Sequence, residues 1–124
     1  MLPLNHTRAR GKHQEARACR FLKKNGLQLL ERNFSCRFGE IDLVMLHPPQ
    51  HLVFVEVRYR KSSEFGTPMA TVTAHKQQKI RRAAALYLMK HQHYQAMASR
   101  FDVVAIHPGH GGKDEIQWIR HAFY

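Results

Sequence analysis

Two carboxylic acids stand two positions apart in the segment GEIDLV, Glu40 and Asp42. In a β-strand, residues i and i+2 project from the same face. Both carboxylates are therefore predicted on one side of the strand, with the apolar side chains of Ile41, Leu43 and Met45 on the other. This spacing predicts a strand that begins with two acidic side chains on the same face.

A second segment, FVEVR, places Glu56 and Arg58 on one strand face and Val55 and Val57 on the opposite face. Apolar and β-branched neighbours on both sides of the acid indicate an internal strand rather than an edge strand. A carboxylate in such a strand is costly to bury unless it is paired or binds a cation. Glu56 is therefore expected to have a charged partner.

If the two strands are neighbours, Asp42 and Glu56 can approach one another across the sheet. Two close carboxylates repel each other, and the pKa of one rises unless a divalent cation lies between them. Oxygen ligands of this kind suit Mg²⁺ or Mn²⁺. A carboxylate-bound Mg²⁺ beside a basic residue is typical of phosphodiester hydrolysis, because the metal activates water and neutralises developing charge. The first hypothesis is therefore a hydrolytic metal site.

Structural ion pairs offer a competing interpretation of the same acids. The chain has 20 Lys and Arg residues, so Asp42 and Glu56 need not bind a metal to be neutralised. The available cations near them in sequence or in the predicted sheet are Arg58, Arg60 and Lys76. Spacing alone leaves both interpretations open.

Two further acids have alternative explanations. Glu40 follows a glycine and can simply lie in solvent at the start of its strand. Glu15 falls in a predicted helix, one turn before Ala18 and Cys19. It either faces the sheet or stabilises the helix dipole, an effect of about 0.3–1 kcal/mol.

Composition limits the class of protein. The chain has 124 residues, a formal charge of +11 and 44% hydrophobic residues, which indicates one folded domain with a polyanionic partner. No apolar run approaches the roughly 20 residues that span a bilayer, so no membrane association is expected. The N-terminus lacks an apolar signal segment, and the two cysteines form no CxxC pair, so a cytoplasmic location with reduced thiols is predicted.

Hydrophobic periodicity and turn residues predict the order α-β-β-β-α-β-β. Residues 1–10 are predicted to be a flexible basic N-terminus, and residues 11–124 a single domain. A meander followed by a helical crossover predicts an α/β fold with a mixed central sheet flanked by helices. The predicted helices span about 11–25 and 73–91, and the predicted strands span about 27–36, 40–47, 51–60, 100–107 and 115–121.

Several motifs in fixed order resemble the YraN family, and the resemblance runs from about residue 11 to residue 106. The joint order of GEIDLV and FVEVR is the specific part, since either motif alone would be weak. The matching positions are Gly11 and Glu15, Arg32 and Asn33, residues 39–44, 52–60 and 66–73, and the basic and alanine positions of 76–84.

That family is similar to the restriction-endonuclease-like superfamily, which includes Holliday-junction resolvases and uses a D-(x)n-E-x-K signature on a strand hairpin. The resemblance implies an endonuclease-like αβββαβ core and Mg²⁺ or Mn²⁺ as cofactor. By position, the catalytic residues implied are Asp42, Glu56, Arg58 and Lys76, and the implied metal-binding residues are Glu15, Asp42, Glu56 and Val57.

One departure from the superfamily signature affects the mechanism, because Arg58 stands in the lysine position. A lysine can lose its proton and assist the attacking water, whereas an arginine stays charged and cannot act as a base. Arg58 can still orient water or stabilise phosphate charge through bidentate hydrogen bonds. The resemblance therefore supports the electrostatic part of the mechanism more than the proton transfer.

The expected function is metal-dependent hydrolysis of structured or branched DNA in repair or recombination, with DNA preferred over RNA and a homodimer left open. The alternatives are a catalytically silent nucleic-acid-binding module of the same fold and a non-enzymatic protein whose basic surface meets an acidic partner. The residues expected to contact nucleic acid are Arg10, Lys12, Arg58, Arg60, Lys61, Lys76, Gln77 and Lys79.

Overall fold

The helices and strands follow the predicted order. The structure is a computed structural model that describes residues 2–60 and 72–124; of residues 2–10 and 110 only the backbone is described. Two short 3₁₀ helices, Gln92–Tyr94 and His110–Gly112, flank the fourth strand. The main elements are α1 (Leu2–Lys24), β1 (Gln28–Cys36), β2 (Gly39–His47), β3 (His51–Tyr59), α2 (Ala74–Lys90), β4 (Ala98–Pro108) and β5 (Asp114–Phe123).

The five strands form one sheet in the order β1-β2-β3-β4-β5. All neighbours are antiparallel except β3 and β4, which are parallel. A parallel pair requires a long crossover connection, and α2 lies in that connection. The predicted α/β class with a mixed sheet is confirmed, and the arrangement is consistent with a restriction-endonuclease-like fold. Because β3 lies between β2 and β4, the strand that carries Glu56 is internal, as predicted.

The helices cover opposite faces of the sheet, and each face has its own apolar core. Alternate residues of β3 divide between the two cores, as the period of two in a strand requires: Val53 and Val55 face α1, and Leu52 and Phe54 face α2. The helical contributions are Ala18, Cys19 and Leu22 from α1 and Ile80, Ala83, Ala84 and Tyr87 from α2. The sheet therefore holds α1 and α2 at defined positions over its strands.

The predicted alternation of β2 is wrong at one position. Leu43 and Met45 pack on the α1 side as a pair, but Ile41 packs in the core on the α2 side. The pairing of β1 with β2 places Asn33 opposite Asp42, and Asn33 has a φ of 52°. A left-handed residue interrupts the regular pleat and increases local twist, so side chains on either side of this point change faces.

The ends of the helices partly match the sequence pattern. Thr73 is the N-cap of α2, and its hydroxyl accepts a hydrogen bond from the backbone N–H of Lys76 at 3.2 Å, as a threonine N-cap is expected to do. The start of α1 was predicted near residue 11, whereas α1 begins at Leu2. The flexibility expected of residues 1–10 stays a prediction. Within the described residues, neither helix has the length and apolarity that crossing a membrane would need.

Candidate functional site

Three carboxylates from two elements meet at the start of β2. Glu15 comes from α1, and Glu40 and Asp42 come from β2. One oxygen of each lies within 4.8 Å of the others. Glu15 reaches this point because Ala18, three residues later on the same helical face, is fully buried against the sheet. The structure therefore supports the interpretation in which Glu15 faces the sheet. We call Glu15, Glu40 and Asp42 the acidic triad.

Asn33 on β1 connects two members of the acidic triad. Its side-chain Nδ2 donates hydrogen bonds to Glu15 Oε1 at 2.7 Å and to Glu40 Oε1 at 3.2 Å. The hydroxyl of Ser35 donates to the other oxygen of Glu40 at 3.2 Å. Sequence reasoning assigned no role to Asn33 or Ser35. The available signal was an asparagine within a strand, where this residue type is uncommon unless the backbone needs a positive φ.

Asp42 is the member whose ionisation is most disfavoured. Burial, followed by repulsion from Glu56, raises the pKa of Asp42 to about 8, with smaller contributions from Glu15 and Glu40. The backbone N–H of Val57 opposes this shift by donating a hydrogen bond to Asp42 Oδ2 at 2.8 Å. Val57 thus contacts the site through its main-chain nitrogen. At neutral pH the Asp42 carboxyl group retains its proton while no cation is bound.

Burial also raises the pKa of Glu15. The hydrogen bond from Asn33 acts in the opposite direction, and repulsion from Glu40 adds to the increase. The site therefore gathers carboxyl groups whose ionised forms the surrounding protein compensates only in part. A divalent cation would relieve this repulsion, since it favours the ionised form of every nearby carboxylate.

Glu56 occupies a different environment from the acidic triad. Its side chain is buried, with 6% exposed, and pairs with Lys76 Nζ at 2.6 Å from the first turn of α2. This is one of the ion pairs that the competing interpretation expected. Glu56 still lies close enough to raise the pKa of Asp42. The two predicted catalytic acids are therefore neighbours, but in this arrangement Glu56 faces the lysine of α2 rather than the triad.

The other predicted catalytic cation, Arg58, follows Glu56 by two positions on β3 and shares its strand face. It is half-buried, and its side chain makes no hydrogen bond or ion pair with another residue in the described ranges 11–60 and 72–124. Its guanidinium group therefore remains available to an anion.

The residues predicted to contact nucleic acid have varied surroundings. The side chain of Gln77 is engaged locally, because its Nε2 donates to the carbonyl of Val72 at 2.8 Å. Lys79 is exposed on α2 and packs near Gly39. The backbone N–H of Arg60 donates to the carbonyl of Ile106 at 3.0 Å, which extends the pairing of β3 with β4. Lys61 and the side chain of Arg10 lie outside the described parts of the chain.

An open cavity of about 390 Å³ lies beside the acidic triad. Glu15, Glu40 and Asn33 form part of its wall, and Lys12 contributes a positive charge to its rim. Gly11 completes the lining, and a Cβ atom added there would meet no atom within 4 Å. The cavity therefore gives a phosphate-sized group access to the carboxylates of Glu15 and Glu40.

The donor set is chemically suited to a hard divalent cation. Carboxylate oxygens are the ligands that Mg²⁺ and Mn²⁺ prefer, and the raised pKa of Asp42 shows that the cluster is incompletely neutralised by its protein neighbours. The residues present therefore fit the cation that the sequence motifs implied.

Comparison with known proteins yields one family. The family described as "Uncharacterised protein family UPF0102" matches residues 14–106. A UPF0102 protein of Stutzerimonas stutzeri is 46% identical over 120 residues, which cover 97% of this chain and 98% of the relative. A UPF0102 protein of Nitrosococcus oceani is 43% identical over 123 residues, covering 99% and 97%. One of Legionella pneumophila is 42% identical over 117 residues, covering 94% and 96%.

Proposed function

The chain belongs to the UPF0102 family, the YraN family of its sequence motifs, and we propose that it is a metal-dependent nuclease that hydrolyses phosphodiester bonds. The observation that carries this proposal is the acidic triad beside an open cavity, in a chain whose net charge is +11. The proposed substrate is structured or branched DNA.

The proposed cation is Mg²⁺ or Mn²⁺. Asp42 and Glu15 are the ligands that the sequence motifs and the geometry share, and Glu40 is the third carboxylate in reach. Glu56 becomes available to the same centre only if its ion pair with Lys76 opens. When bound, such a cation lowers the pKa of water and neutralises negative charge that develops on the phosphate.

Two basic side chains would bind and orient the substrate phosphate. Arg58 can donate two parallel hydrogen bonds to phosphate oxygens, but a guanidinium group does not serve as a base. Lys12 at the cavity rim supplies a second positive charge. In this proposal the arginine stabilises charge rather than activating water.

The remaining charge would guide nucleic acid to the site. A net charge of +11 raises the local concentration of a polyanion and accelerates its association at low salt. Phosphate contacts carry no base information, so cleavage without strong sequence preference is expected. The preference for DNA over RNA and the formation of a homodimer both stay predictions.

The proposal is tested by incubating the purified chain with branched and linear DNA in the presence of Mg²⁺ or Mn²⁺. Asp42→Asn keeps the shape of the side chain and removes its charge, so cleavage is expected to fall by roughly 100-fold or more. Asp114→Asn is the matched control, because Asp114 is an exposed acid that pairs with Arg17 outside the triad. Cleavage that is equal in the wild type and Asp42→Asn would contradict the proposal.

The second candidate is a nucleic-acid-binding module that does not cleave. The ion pair between Glu56 and Lys76 favours this second function, because it engages one of the predicted catalytic acids. Arg58 in the lysine position favours it as well, because an arginine cannot act as a base. Calorimetric titration with Mn²⁺ separates the two functions. Divalent binding that is lost in Asp42→Asn supports the nuclease, whereas DNA binding without any divalent binding supports the silent module.

A further inference from the structure

At the tight turn between β1 and β2, two guanidinium groups contact one aromatic ring, one from the turn itself and one from α2. Arg37 Cζ lies 4.8 Å from the centre of the Phe38 ring, and Arg82 Cζ, from α2, lies 5.9 Å from it. Lys79, one helical turn before Arg82, lies beside the same β1–β2 turn at Gly39. We call Arg37, Phe38, Lys79 and Arg82 the turn cluster.

Gly39 lies where the β1–β2 turn approaches α2. Its φ of 143° is a conformation that side-chain-bearing residues rarely adopt. A Cβ atom added at Gly39 would also lie 3.8 Å from the Cβ of Lys79. Cys36 and Gly39 are paired across the ends of the turn, so only Arg37 and Phe38 lie between the strands. The positions of the two guanidinium groups are thus set by a strand pair, a glycine and a helix.

The three cations of the turn cluster have no acidic partner in the described parts of the chain. The ion pairs formed there involve Arg17, Lys76, Arg100 and His107 instead. Glu40, the nearest acid along the chain, accepts hydrogen bonds from Asn33 and Ser35. Cation–π contacts with Phe38 compensate part of the mutual repulsion. Bound anionic groups would relieve the rest.

We propose that the turn cluster binds the sugar-phosphate backbone of nucleic acid immediately beside the acidic triad. Phe38 lies in the turn, two residues before Glu40, and two extended residues span roughly 7 Å, which corresponds to about two nucleotides of duplex rise. Guanidinium groups oriented by an aromatic ring are suited to bidentate phosphate contacts. A strand held by the turn cluster would therefore present its next phosphates to the cavity. This inference rests on the proposed function and names how the substrate of that site is held.

The test measures DNA affinity in EDTA, so that binding is separated from cleavage. Fluorescence anisotropy of a labelled oligonucleotide duplex is followed over a series of salt concentrations. For Arg37→Ala combined with Arg82→Ala, we expect affinity to fall at least 10-fold. We also expect the slope of log affinity against log salt to become shallower by about 1–2, because each lost phosphate contact removes about 0.9 from it.

Arg81→Ala is the matched control. Arg81 is the neighbour of Arg82 on α2, but its guanidinium group donates to the backbone carbonyl of Tyr124 at 2.7 Å, outside the turn cluster. The control removes one cation from the same helix, and affinity is expected to change less than 2-fold. Phe38→Leu keeps both charges, so it is expected to weaken affinity several-fold while the salt slope stays unchanged.

The outcomes separate this inference from the proposed function. Wild-type affinity and slope in the double variant overturn the turn cluster as a binding element, even if cleavage depends on Asp42. Loss of binding in that variant supports the turn cluster, even if the wild type cleaves nothing. An equal loss in Arg81→Ala overturns it, because the effect would then reflect net charge alone.

Two further arms complete the test. If the double variant does not fold, Arg37→Ala alone, at an exposed turn position, is expected to reduce the salt slope by about 0.9; an unchanged slope overturns the inference. Inorganic phosphate at matched ionic strength is expected to displace DNA no better than chloride does. Complete displacement by millimolar phosphate would assign the turn cluster to the free anion and overturn a nucleic-acid site.

Discussion

Asp42 is the member of the acidic triad whose pKa is raised most. It is held from one side by the backbone N–H of Val57 and faces carboxylates on α1, β2 and β3. Its pKa of about 8 means that the folded chain takes up a proton which the unfolded chain, near 3.8, releases at neutral pH. A group with a raised carboxyl pKa stabilises the fold at low pH, and that stabilisation is lost as pH rises towards the folded value.

The first prediction concerns this pH dependence. In metal-free buffer, the free energy of unfolding of Asp42→Asn should rise relative to wild type as pH increases from 4 to 9. The change should exceed about 1.4 kcal/mol, which corresponds to one pKa unit. Urea denaturation in EDTA measures it. Glu115→Gln, which changes an exposed acid, is the control, and parallel curves for Asp42→Asn and wild type would refute the shifted pKa.

The second prediction concerns Asn33, which combines a positive φ with hydrogen bonds to two acids. Asn33→Ala loses both the hydrogen bonds and the tolerance of a left-handed backbone, whereas Asn33→Gly loses only the bonds. Asn33→Ala should therefore be less stable than Asn33→Gly by about 1 kcal/mol, although alanine is better tolerated in regular secondary structure. Thermal melting at one pH compares them, and the opposite order would contradict a strained backbone at Asn33.

At the scale of elements, a buried polar network ties β4 to β5 at the end of the α1-side core. Asp102 is fully buried and accepts hydrogen bonds from Arg100 Nε at 3.0 Å, Trp118 Nε1 at 2.9 Å and the backbone N–H of His121 at 3.0 Å. Arg100 in turn reaches His47 Nδ1 at 2.7 Å, so β2 joins the same network. These contacts connect β2, β4 and β5 at this end of the sheet.

The third prediction compares two Asp–Arg pairs of different burial. Asp102→Ala leaves Arg100 buried without its counter-ion and should cost about 3–5 kcal/mol of unfolding free energy. Asp114→Ala removes an exposed pair with Arg17 and should cost about 1 kcal/mol or less. Chemical denaturation of both variants provides the comparison. Equal costs would show that the network contributes no more than a surface ion pair.

At the scale of the whole molecule, the main electrostatic feature is an excess of positive charge, with a formal net charge of +11. A chain with 20 Lys and Arg residues against 9 acids repels itself when folded. Three of those acids are gathered in the triad and a fourth is paired with Lys76, so much of the remaining surface is basic. A polyanion attracted to this surface would meet the acidic triad. Its carboxylates repel phosphate unless a cation is bound between them.

The fourth prediction follows from this self-repulsion. Raising NaCl from about 10 mM to 1 M shortens the screening length from about 30 Å to about 3 Å. The melting temperature at pH 7 should rise by several degrees, because repulsion among the basic residues is screened. Calorimetry in a non-phosphate buffer measures it. A melting temperature that falls steadily with NaCl would mean that attractive ion pairs dominate the folded state.

Local patterns in the sequence were sufficient for much of the fold. The apolar surroundings of Glu56 predicted an internal strand, Thr73 predicted a helix start, and a meander followed by a helix predicted a mixed sheet. Each of these predictions depends on residues close together in the chain. They hold in the folded protein because each helix or strand must bury its apolar face. The family was also identifiable from two short motifs in a fixed order.

Only the tertiary structure decided which charged groups meet. The sequence predicted that Asp42 and Glu56 approach one another, the family resemblance added Glu15, and pairing with Lys76 was one alternative for either acid. Packing of α1 on the sheet brings Glu15 to Asp42 and Glu40, and α2 brings Lys76 to Glu56. Arg82 meets Phe38 for the same reason. Such contacts join residues far apart in the chain, and their geometry depends on helix position and on one left-handed residue, Asn33. A period of two or of 3.6 residues assigns a side chain to a face, but it does not specify what the opposing element places there.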